Sequence, residues 1–224
     1  MKNLFILCFL GLSLAAFSQK APPNKYGLAV VGDMALYHQL VKSDPAQELV
    51  RVTEIPIDVK YATDSNFTKT QLYPYPAVYL RRPVYQALLQ LQEFLSPMGL
   101  SLKIYDGYRP YRVTEKMWEV VPDERYAADP RKGSGHNRGA AVDLTIVYTK
   151  TGKEMEMPTP YDDFTQKAHH NAANVTPEAA ENRTLLRTLM EAHGFVALET
   201  EWWHYALKGA ARFPLMDISF EDLR

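Results

Sequence analysis

The stretch SGHNRGAAVDLTIVY, residues 134–148, joins a glycine-bearing loop to a segment rich in Val, Ile and Thr. The second part, from 140 to 148, is typical of a β-strand. Glycines lie on both sides of His136, so the loop can bend and bring this imidazole close to Asp143 on the strand. Imidazole and carboxylate are good ligands for a cation such as Zn²⁺. The alternative is a loop histidine and a strand aspartate without mutual contact.

Further strands and helices are predicted on both sides of this stretch. The strands are expected over 49–59, where Pro56 interrupts the run, and over 100–105, 195–198 and 202–207. The helices are expected from Pro83 to Pro97, over 111–121, and over 177–193 with Gly194 as C-cap. Strands and helices alternate irregularly, without repeated βαβ units. The sequence therefore predicts an α+β fold: a single compact domain with a mainly antiparallel sheet flanked by helices.

Composition limits the classes of function. The chain has 224 residues, of which 46% are hydrophobic and 23% charged, so it can bury a sizeable core and is not disordered. Its formal net charge is −1, and a nucleic-acid binder usually carries a basic excess. We therefore expect no nucleic-acid partner, and no pattern indicates a protein partner.

The first eighteen residues differ from the rest of the chain. Lys2 precedes an apolar run over 4–17, and small residues end it at Ser18, which predicts a signal peptide over 1–18. The run is shorter than the roughly 20 residues of a membrane span, although an uncleaved anchor is the alternative. The single cysteine, Cys8, lies inside this run and fits lipid attachment poorly. We expect an exported, periplasmic protein without disulfides or a transmembrane span, with membrane attachment less favoured.

Two regions are predicted after the signal peptide. Residues 19–45 are polar and contain Pro and Gly, so a loosely ordered lead-in is expected there. Residues 46–224 carry the predicted helices, strands and chemically capable side chains, and form the expected catalytic domain.

The segment Glu201-Trp202-Trp203-His204 places a carboxylate three residues before a histidine. A catalytic zinc site has three protein ligands, an open position and a nearby carboxylate base. This segment contains one candidate ligand, His204, and one candidate base, Glu201. The alternative is an aromatic core strand. On a regular strand, positions 201 and 204 point to opposite faces, so the hypothesis requires a bulge or turn near Trp202.

Two further segments combine charged and aromatic residues. In Asp106-Gly107-Tyr108-Arg109-Pro110, the arginine can stabilise a negatively charged oxygen, or it can form a structural salt bridge with Asp106. The segment from Tyr61 to Phe67 follows a predicted strand and, taken alone, is a turn.

These segments together resemble the zinc D-alanyl-D-alanine dipeptidase family, part of a wider group of peptidoglycan-processing metallopeptidases. The resemblance rests on several motifs in the family's order: Tyr61-Ala-Thr with Asn66-Phe67, Asp106-x-Tyr-Arg109-Pro, Ser134-x-His136-x6-Asp143, Asp162, His169-His170, and Glu201-Trp-Trp-His204-Tyr. It spans about residues 50–207. The family's fold, hedgehog/DD-peptidase-like, is a small α+β domain around an antiparallel sheet, which agrees with the fold predicted above.

The resemblance implies a role for each matching residue. The ligands of one Zn²⁺ would be His136, Asp143 and His204. Glu201 would act as general base on the attacking water and then as general acid to the leaving amine. Arg109, oriented by Asp106, would stabilise the developing oxyanion.

The remaining matches imply substrate contacts. Ser134 and Asp162 would bind the dipeptide D-Ala-D-Ala or a related peptidoglycan-derived D-peptide, Asp162 through the free ammonium group, with Tyr61 lining the same pocket. A carboxylate at that place penalises an N-acylated or longer substrate, because its charge is then unpaired. His169 and His170 are expected to form a solvated loop pair, with support of the zinc ligands as the alternative.

Two other functions remain open at this stage. One is a related zinc D,D- or L,D-carboxypeptidase or endopeptidase that acts on longer peptidoglycan peptides; Asp162 and the Tyr61 segment argue against it. The other is a catalytically silent binding module, whose mark would be loss of Glu201 or Arg109. Export favours cell-wall peptide salvage or remodelling over a role in glycopeptide resistance.

Overall fold

The computed structural model describes residues 21–125 and 127–224. The predicted signal peptide over 1–18, with Cys8, lies outside the described residues. Among the helices that are described, none has both the length and the apolar character that a bilayer crossing requires.

The described residues form a mixed set of helices and short strands. The helices are α1 (Met34–Ser43), α2 (Arg82–Leu95), α3 (Tyr111–Val120) and α4 (Pro177–Ala192). The strands are β1 (Val30–Val31), β2 (Leu49–Arg51), β3 (Tyr79–Arg81), β4 (Leu100–Asp106), β5 (Ala141–Tyr148), β6 (Phe195–Leu198), β7 (Glu201–Leu207) and β8 (Leu215–Met216).

A four-stranded sheet in the order β4-β5-β7-β6 forms the centre of the fold, and every pairing in it is antiparallel. Residues 141–147 of β5 are all buried. Both faces of β5 are therefore covered: the face with Val142, Leu144 and Ile146, and the face with Asp143 and Thr145. Helix α2 packs against β4, and α4 packs against β6. The predicted α+β class with a mainly antiparallel sheet is therefore confirmed.

Local signals place the two longest helices correctly. The apolar face of α2, at Val84, Leu88, Leu91 and Leu95, is completely buried. This helix continues into a short 3-10 turn that ends at Gly99, whose φ of 69° is in the left-handed region. Helix α4 begins after Thr176, whose hydroxyl accepts a hydrogen bond from the Ala179 amide, as a good N-cap does.

Two irregularities in the central sheet lie beside the predicted site. On β6, Ala197 pairs with Tyr205 of β7, and the following residue, Leu198, pairs with Glu201 of β7. Strand β7 therefore contains extra residues between these two pairs. This is the irregularity that the Glu201–His204 spacing requires. In β4, Ile104 pairs with Leu144, whereas Asp106 pairs with Asp143, so one residue of β4 is bulged.

The expectation of a loosely ordered lead-in is wrong for residues 21–45. Strand β1 pairs in parallel with β8 near the C-terminus, and α1 follows it. The reason is that the few apolar residues of this polar segment are used in the core: Val31 and Tyr37 are buried. The Tyr37 hydroxyl also accepts a hydrogen bond of 2.8 Å from the Leu49 amide.

The strand predicted over 49–59 is shorter than expected. Only Leu49–Arg51 forms a strand, which pairs with β3. Beyond it, Ile57 makes a single parallel bridge to Ile104. The alternation of β-branched residues over 49–59 reflects burial of Val52, Ile55 and Val59 in irregular backbone.

Candidate active site

The three predicted metal ligands come together in the structure. His136 Nε2 lies 3.1 Å from His204 Nδ1 and 3.3 Å from Asp143 Oδ1, and His204 Nδ1 lies 2.9 Å from Asp143 Oδ1. With metal–ligand distances of about 2.0–2.1 Å, two ligand atoms of a tetrahedral zinc site lie about 3.3 Å apart. The triangle of donor atoms therefore has the size and the His₂Asp composition of a catalytic zinc site.

Strand register places two of these ligands side by side. Asp143 on β5 is the pairing partner of His204 on β7 and, on its other side, of Asp106 on β4. Paired residues on neighbouring strands point to the same face of a sheet. The sheet thus presents two carboxylates and an imidazole in one row, and His136 reaches this row from the loop before β5.

A backbone carbonyl orients His136. Its Nδ1 lies 2.7 Å from the carbonyl oxygen of Gly107, and donation of a proton there leaves Nε2 free to bind a metal. Only glycine fits at position 107, because a Cβ would lie 2.7 Å from Val78 Cγ1 and 2.8 Å from the Tyr79 carbonyl oxygen. The sequence motif contains Gly107, but its contact with His136 becomes visible only in the fold.

Asp106 holds the guanidinium of Arg109. One carboxylate oxygen accepts from Nε and Nη2 of Arg109, at 3.1 and 2.7 Å. The other oxygen accepts from the Tyr73 hydroxyl at 2.7 Å. Arg109 also stacks on Tyr61, with the guanidinium carbon 5.3 Å from the ring centroid. The contact between Asp106 and Arg109 was expected; the contribution of Tyr73, which lies 33 residues before Asp106, was not.

A cavity of about 180 Å³ opens beside the metal ligands. Its walls include every residue predicted to touch metal or substrate: Tyr61, Arg109, Ser134, His136, Asp143, Asp162, Glu201 and His204. Phe67, Phe164 and Trp203 add apolar surface. The structure therefore gathers residues that are spread over 140 positions of the chain into one small, partly charged pocket.

Asp162 and Tyr61 lie in contact with each other in the wall of this cavity. The Tyr61 hydroxyl donates to both carboxylate oxygens of Asp162, at 3.1 and 3.0 Å. Asp162 has a φ of 62°, an uncommon conformation for a residue with a side chain, although aspartate tolerates it. Burial, and then the charge of Asp143, raise the pKa of Asp162 well above its usual value. A cation bound next to Asp162 would relieve both effects.

Glu201 faces the same cavity from the bulged part of β7. Its Oε2 lies 4.0 Å from His204 Nδ1, and its side chain is half-buried. Burial raises the pKa of Glu201 above its usual value. A raised pKa suits a carboxylate that must accept a proton and release it again near neutral pH.

The backbone around Ser134 is fixed by its own loop. The Ser134 hydroxyl oxygen accepts from the His136 amide at 3.1 Å, and the Ser134 amide donates to the side chain of Asn137 at 2.9 Å. The Asn137 side chain in turn donates to the Arg109 carbonyl at 2.9 Å. Ser134 is thus placed at the cavity wall by the turn that presents His136.

The hypothesis of a solvated histidine pair at 169–170 is wrong for His170. Its side chain is buried, its ring packs edge-on against Tyr205 at 6.0 Å, and its amide donates to the Glu199 carbonyl. Burial lowers the pKa of His170 to about 4. His169 is half-buried, and its carbonyl accepts from Arg183. The contacts described for His170 are with Tyr205 on β7 and with Glu199 in the turn before β7, not with the three ligands.

A His₂Asp ligand set beside a half-buried carboxylate and a fixed arginine defines a zinc-dependent peptidase site. The comparison with protein families identifies the peptidase family. The family model described as D-ala-D-ala dipeptidase matches residues 45–222, and the chain belongs to this family. The protein is a zinc peptidase, and the early segment over 21–44 lies outside the match.

Three relatives described as D-alanyl-D-alanine dipeptidases support this assignment. The protein from Escherichia coli (strain K12) is 35% identical over 167 residues, which cover 75% of this chain and 86% of the relative. The protein from Streptomyces coelicolor is 33% identical over 199 residues, covering 80% and 93%. The protein from Enterococcus faecium is 32% identical over 171 residues, covering 67% and 85%.

We predict that Gly107→Ala weakens both folding and metal binding. The added Cβ would overlap Val78 and the Tyr79 carbonyl, and the displaced Gly107 carbonyl would no longer orient His136. We expect a loss of about 1–3 kcal/mol in the free energy of unfolding, measured with urea, and weaker zinc binding in a chelator competition.

Gly32→Ala is the matched control, because its Cβ would find only the Cβ of Asp217, at 4.0 Å. Wild-type stability and zinc affinity in the Gly107→Ala variant would contradict the role of this close approach.

Proposed function

We propose that this protein hydrolyses the free dipeptide D-Ala-D-Ala to two molecules of D-alanine. The observation that carries the proposal is the composition of the cavity: three metal ligands, Glu201 and the Tyr61–Asp162 pair line the same small space. A carboxylate in the wall of a small peptidase cavity favours a substrate whose free ammonium group lies a short distance from the scissile bond.

Each polar residue has a distinct part in the proposed reaction. Zn²⁺ held by His136, Asp143 and His204 supplies Lewis acidity and lowers the pKa of water. Glu201 accepts a proton from the attacking water and delivers it to the leaving amine when the C–N bond breaks. Arg109 donates hydrogen bonds towards the oxygen on which negative charge develops.

The ends of the dipeptide are bound by the remaining polar groups. Asp162, with the Tyr61 hydroxyl, binds the ammonium group, and Ser134, in the wall of the same cavity, also binds the substrate. Because Asp106, itself held by the Tyr73 hydroxyl, already fixes Arg109, little reorganisation is required at the moment of reaction. An acylated amine would leave Asp162 buried without a cation, which costs affinity.

Cleavage of longer peptidoglycan peptides is the less favoured alternative. A carboxypeptidase or endopeptidase must accept a peptide that extends beyond the amino end of the D-Ala-D-Ala unit. In the proposed binding mode Asp162 binds that amino end, and aromatic rings pack beside it in the same cavity wall: the Tyr61 and Phe67 rings lie 6.2 Å apart, and those of Phe67 and Phe164 lie 5.6 Å apart. We therefore assign the cavity to a dipeptide.

We further propose that the protein acts after export, in the periplasm, in the salvage of cell-wall peptides. The support is the charged and apolar pattern of residues 1–18. The prediction is that expression of the full chain in a Gram-negative host yields periplasmic protein whose N-terminus, read by mass spectrometry, lies near Gln19. Cytoplasmic protein that retains Lys2 would contradict it.

The substrate assignment predicts selective, metal-dependent cleavage. D-Ala-D-Ala should be hydrolysed, N-acetyl-D-Ala-D-Ala should not, and a chelator should abolish activity until zinc is restored. Asp162→Asn keeps the shape and tolerates the same φ, but it removes the charge. We expect kcat/KM for the free dipeptide to fall by about 10- to 150-fold in this variant, as for loss of a charged hydrogen bond.

Comparable rates on free and acylated dipeptide would move the assignment to the carboxypeptidase or endopeptidase alternative. Absence of cleavage of either compound by zinc-loaded protein would reject both.

A separate prediction concerns Glu201. Glu201→Gln preserves size and hydrogen bonding but cannot accept the proton, so kcat on D-Ala-D-Ala should fall by about 10²- to 10⁴-fold while zinc content stays at one per chain. Metal analysis and steady-state kinetics on the same preparation check both statements. The control is Glu199→Gln, a nearby exposed glutamate paired with Arg187, which should retain activity. Substantial turnover by Glu201→Gln would remove Glu201 as the base.

A further inference from the structure

Tyr161 makes a contact with a metal ligand that neither the motifs nor the proposed reaction uses. Its hydroxyl donates to Asp143 Oδ2 at 3.0 Å. The other oxygen of the same carboxylate, Oδ1, is the one that faces His136 and His204. The two oxygens of Asp143 therefore have different partners: Oδ1 lies in the triangle of donor atoms, and Oδ2 is held from behind by a tyrosine.

Aromatic neighbours fix the position of this tyrosine. The ring of Tyr161 stacks on Tyr105, with centroids 4.4 Å apart and planes inclined by 18°. On another side it meets Trp203 edge-on at 5.5 Å and 80°. Trp203 directly precedes the ligand His204 in β7. The hydroxyl is thus carried by a ring that has little freedom to move.

Burial makes the contact important for Asp143. The Asp143 residue is only 2% exposed, so an oxygen without a donor or a cation would carry a large desolvation cost. A carboxylate whose second oxygen has lost its donor can also rotate and bind a cation through both oxygens. The hydroxyl of Tyr161 both satisfies Oδ2 and opposes that rotation.

We propose that Tyr161 is a positioning residue that holds Asp143 as a ligand through one oxygen and keeps the metal site open for substrate. The inference rests on the zinc site of the proposed function, but not on the identity of the substrate. Because Tyr161 directly precedes Asp162, the same short segment would set both the metal ligand and the ammonium-binding carboxylate.

The test uses Tyr161→Phe, which keeps the stacked ring and removes only the hydroxyl. The full mature chain is stripped of metal and titrated with Zn²⁺ against a chromogenic chelator. We expect zinc affinity to fall by about 10- to 100-fold, as for loss of other contacts to ligating groups. With Co²⁺ in place of zinc, the visible absorption should shift and weaken, because binding through both oxygens raises the coordination number.

Tyr105→Phe is the matched control. Tyr105 belongs to the same stacked pair, but its hydroxyl donates to Glu154 at 2.7 Å and not to a metal ligand. This variant should keep wild-type zinc affinity and the wild-type Co²⁺ spectrum. Thermal unfolding of both metal-free variants separates a loss of metal binding from a loss of folding.

The proposal is overturned if Tyr161→Phe matches Tyr105→Phe in zinc affinity and in the Co²⁺ spectrum. It is also overturned if the affinity falls only in proportion to a lower stability of the metal-free protein. Neither readout involves peptide hydrolysis, so failure of the dipeptide assignment would leave this result unaffected.

Discussion

The antiparallel register of β4, β5 and β7 is the constraint on which the site depends. It aligns Asp106, Asp143 and His204 in one row on the same face of the sheet. A shift of one residue in any of these pairings would turn the side chain to the opposite face. The register is protected because β5 is buried over seven consecutive residues, so a slipped strand would also disturb the core.

Two bulges change the direction of side chains in this sheet next to the active site. The bulge in β4 brings Asp106 opposite Asp143, and the residues beyond it turn so that the Gly107 carbonyl reaches His136. The irregularity in β7 allows Glu201 and His204, three positions apart, to face the same cavity. Bulges change the direction of side chains without ending the strand, which suits them to the edges of active sites.

Asp106 and Asp143 are buried in the site, and each has partners. Asp106 is bound by Arg109 and Tyr73, and Asp143 by Tyr161 and the two histidines. Burial would raise the pKa of Asp143, but His136 and His204 outweigh it and hold the pKa well below its usual value. Such fixed pairs cost folding free energy to bury, yet they keep the dipoles in place before substrate arrives.

A buried arginine connects the loop that carries His136 to two distant segments of the chain. Arg81 donates to the carbonyl of Arg138 in the loop that carries His136, at 2.7 Å, and to the carbonyls of Gln47 and Pro214. Burial lowers the pKa of Arg81 to about 10, so it still carries its charge at neutral pH. The turn at Gln47 and the segment at Pro214 are therefore tied through Arg81 to the loop that carries His136.

The sequence by itself determined the elements and residues whose signals are local. Periodic leucines and a proline predict α2, and a terminal glycine predicts the end of α4. The resemblance of the motifs to a known family implied His136, Asp143 and His204 as the metal ligands. Tertiary structure alone decided that residues 21–45 contain a strand and a helix, and it alone decided the contacts of Tyr73, Tyr161 and His170. These depend on burial and on partners tens of residues away, and no local pattern records which distant strand or loop a side chain will meet.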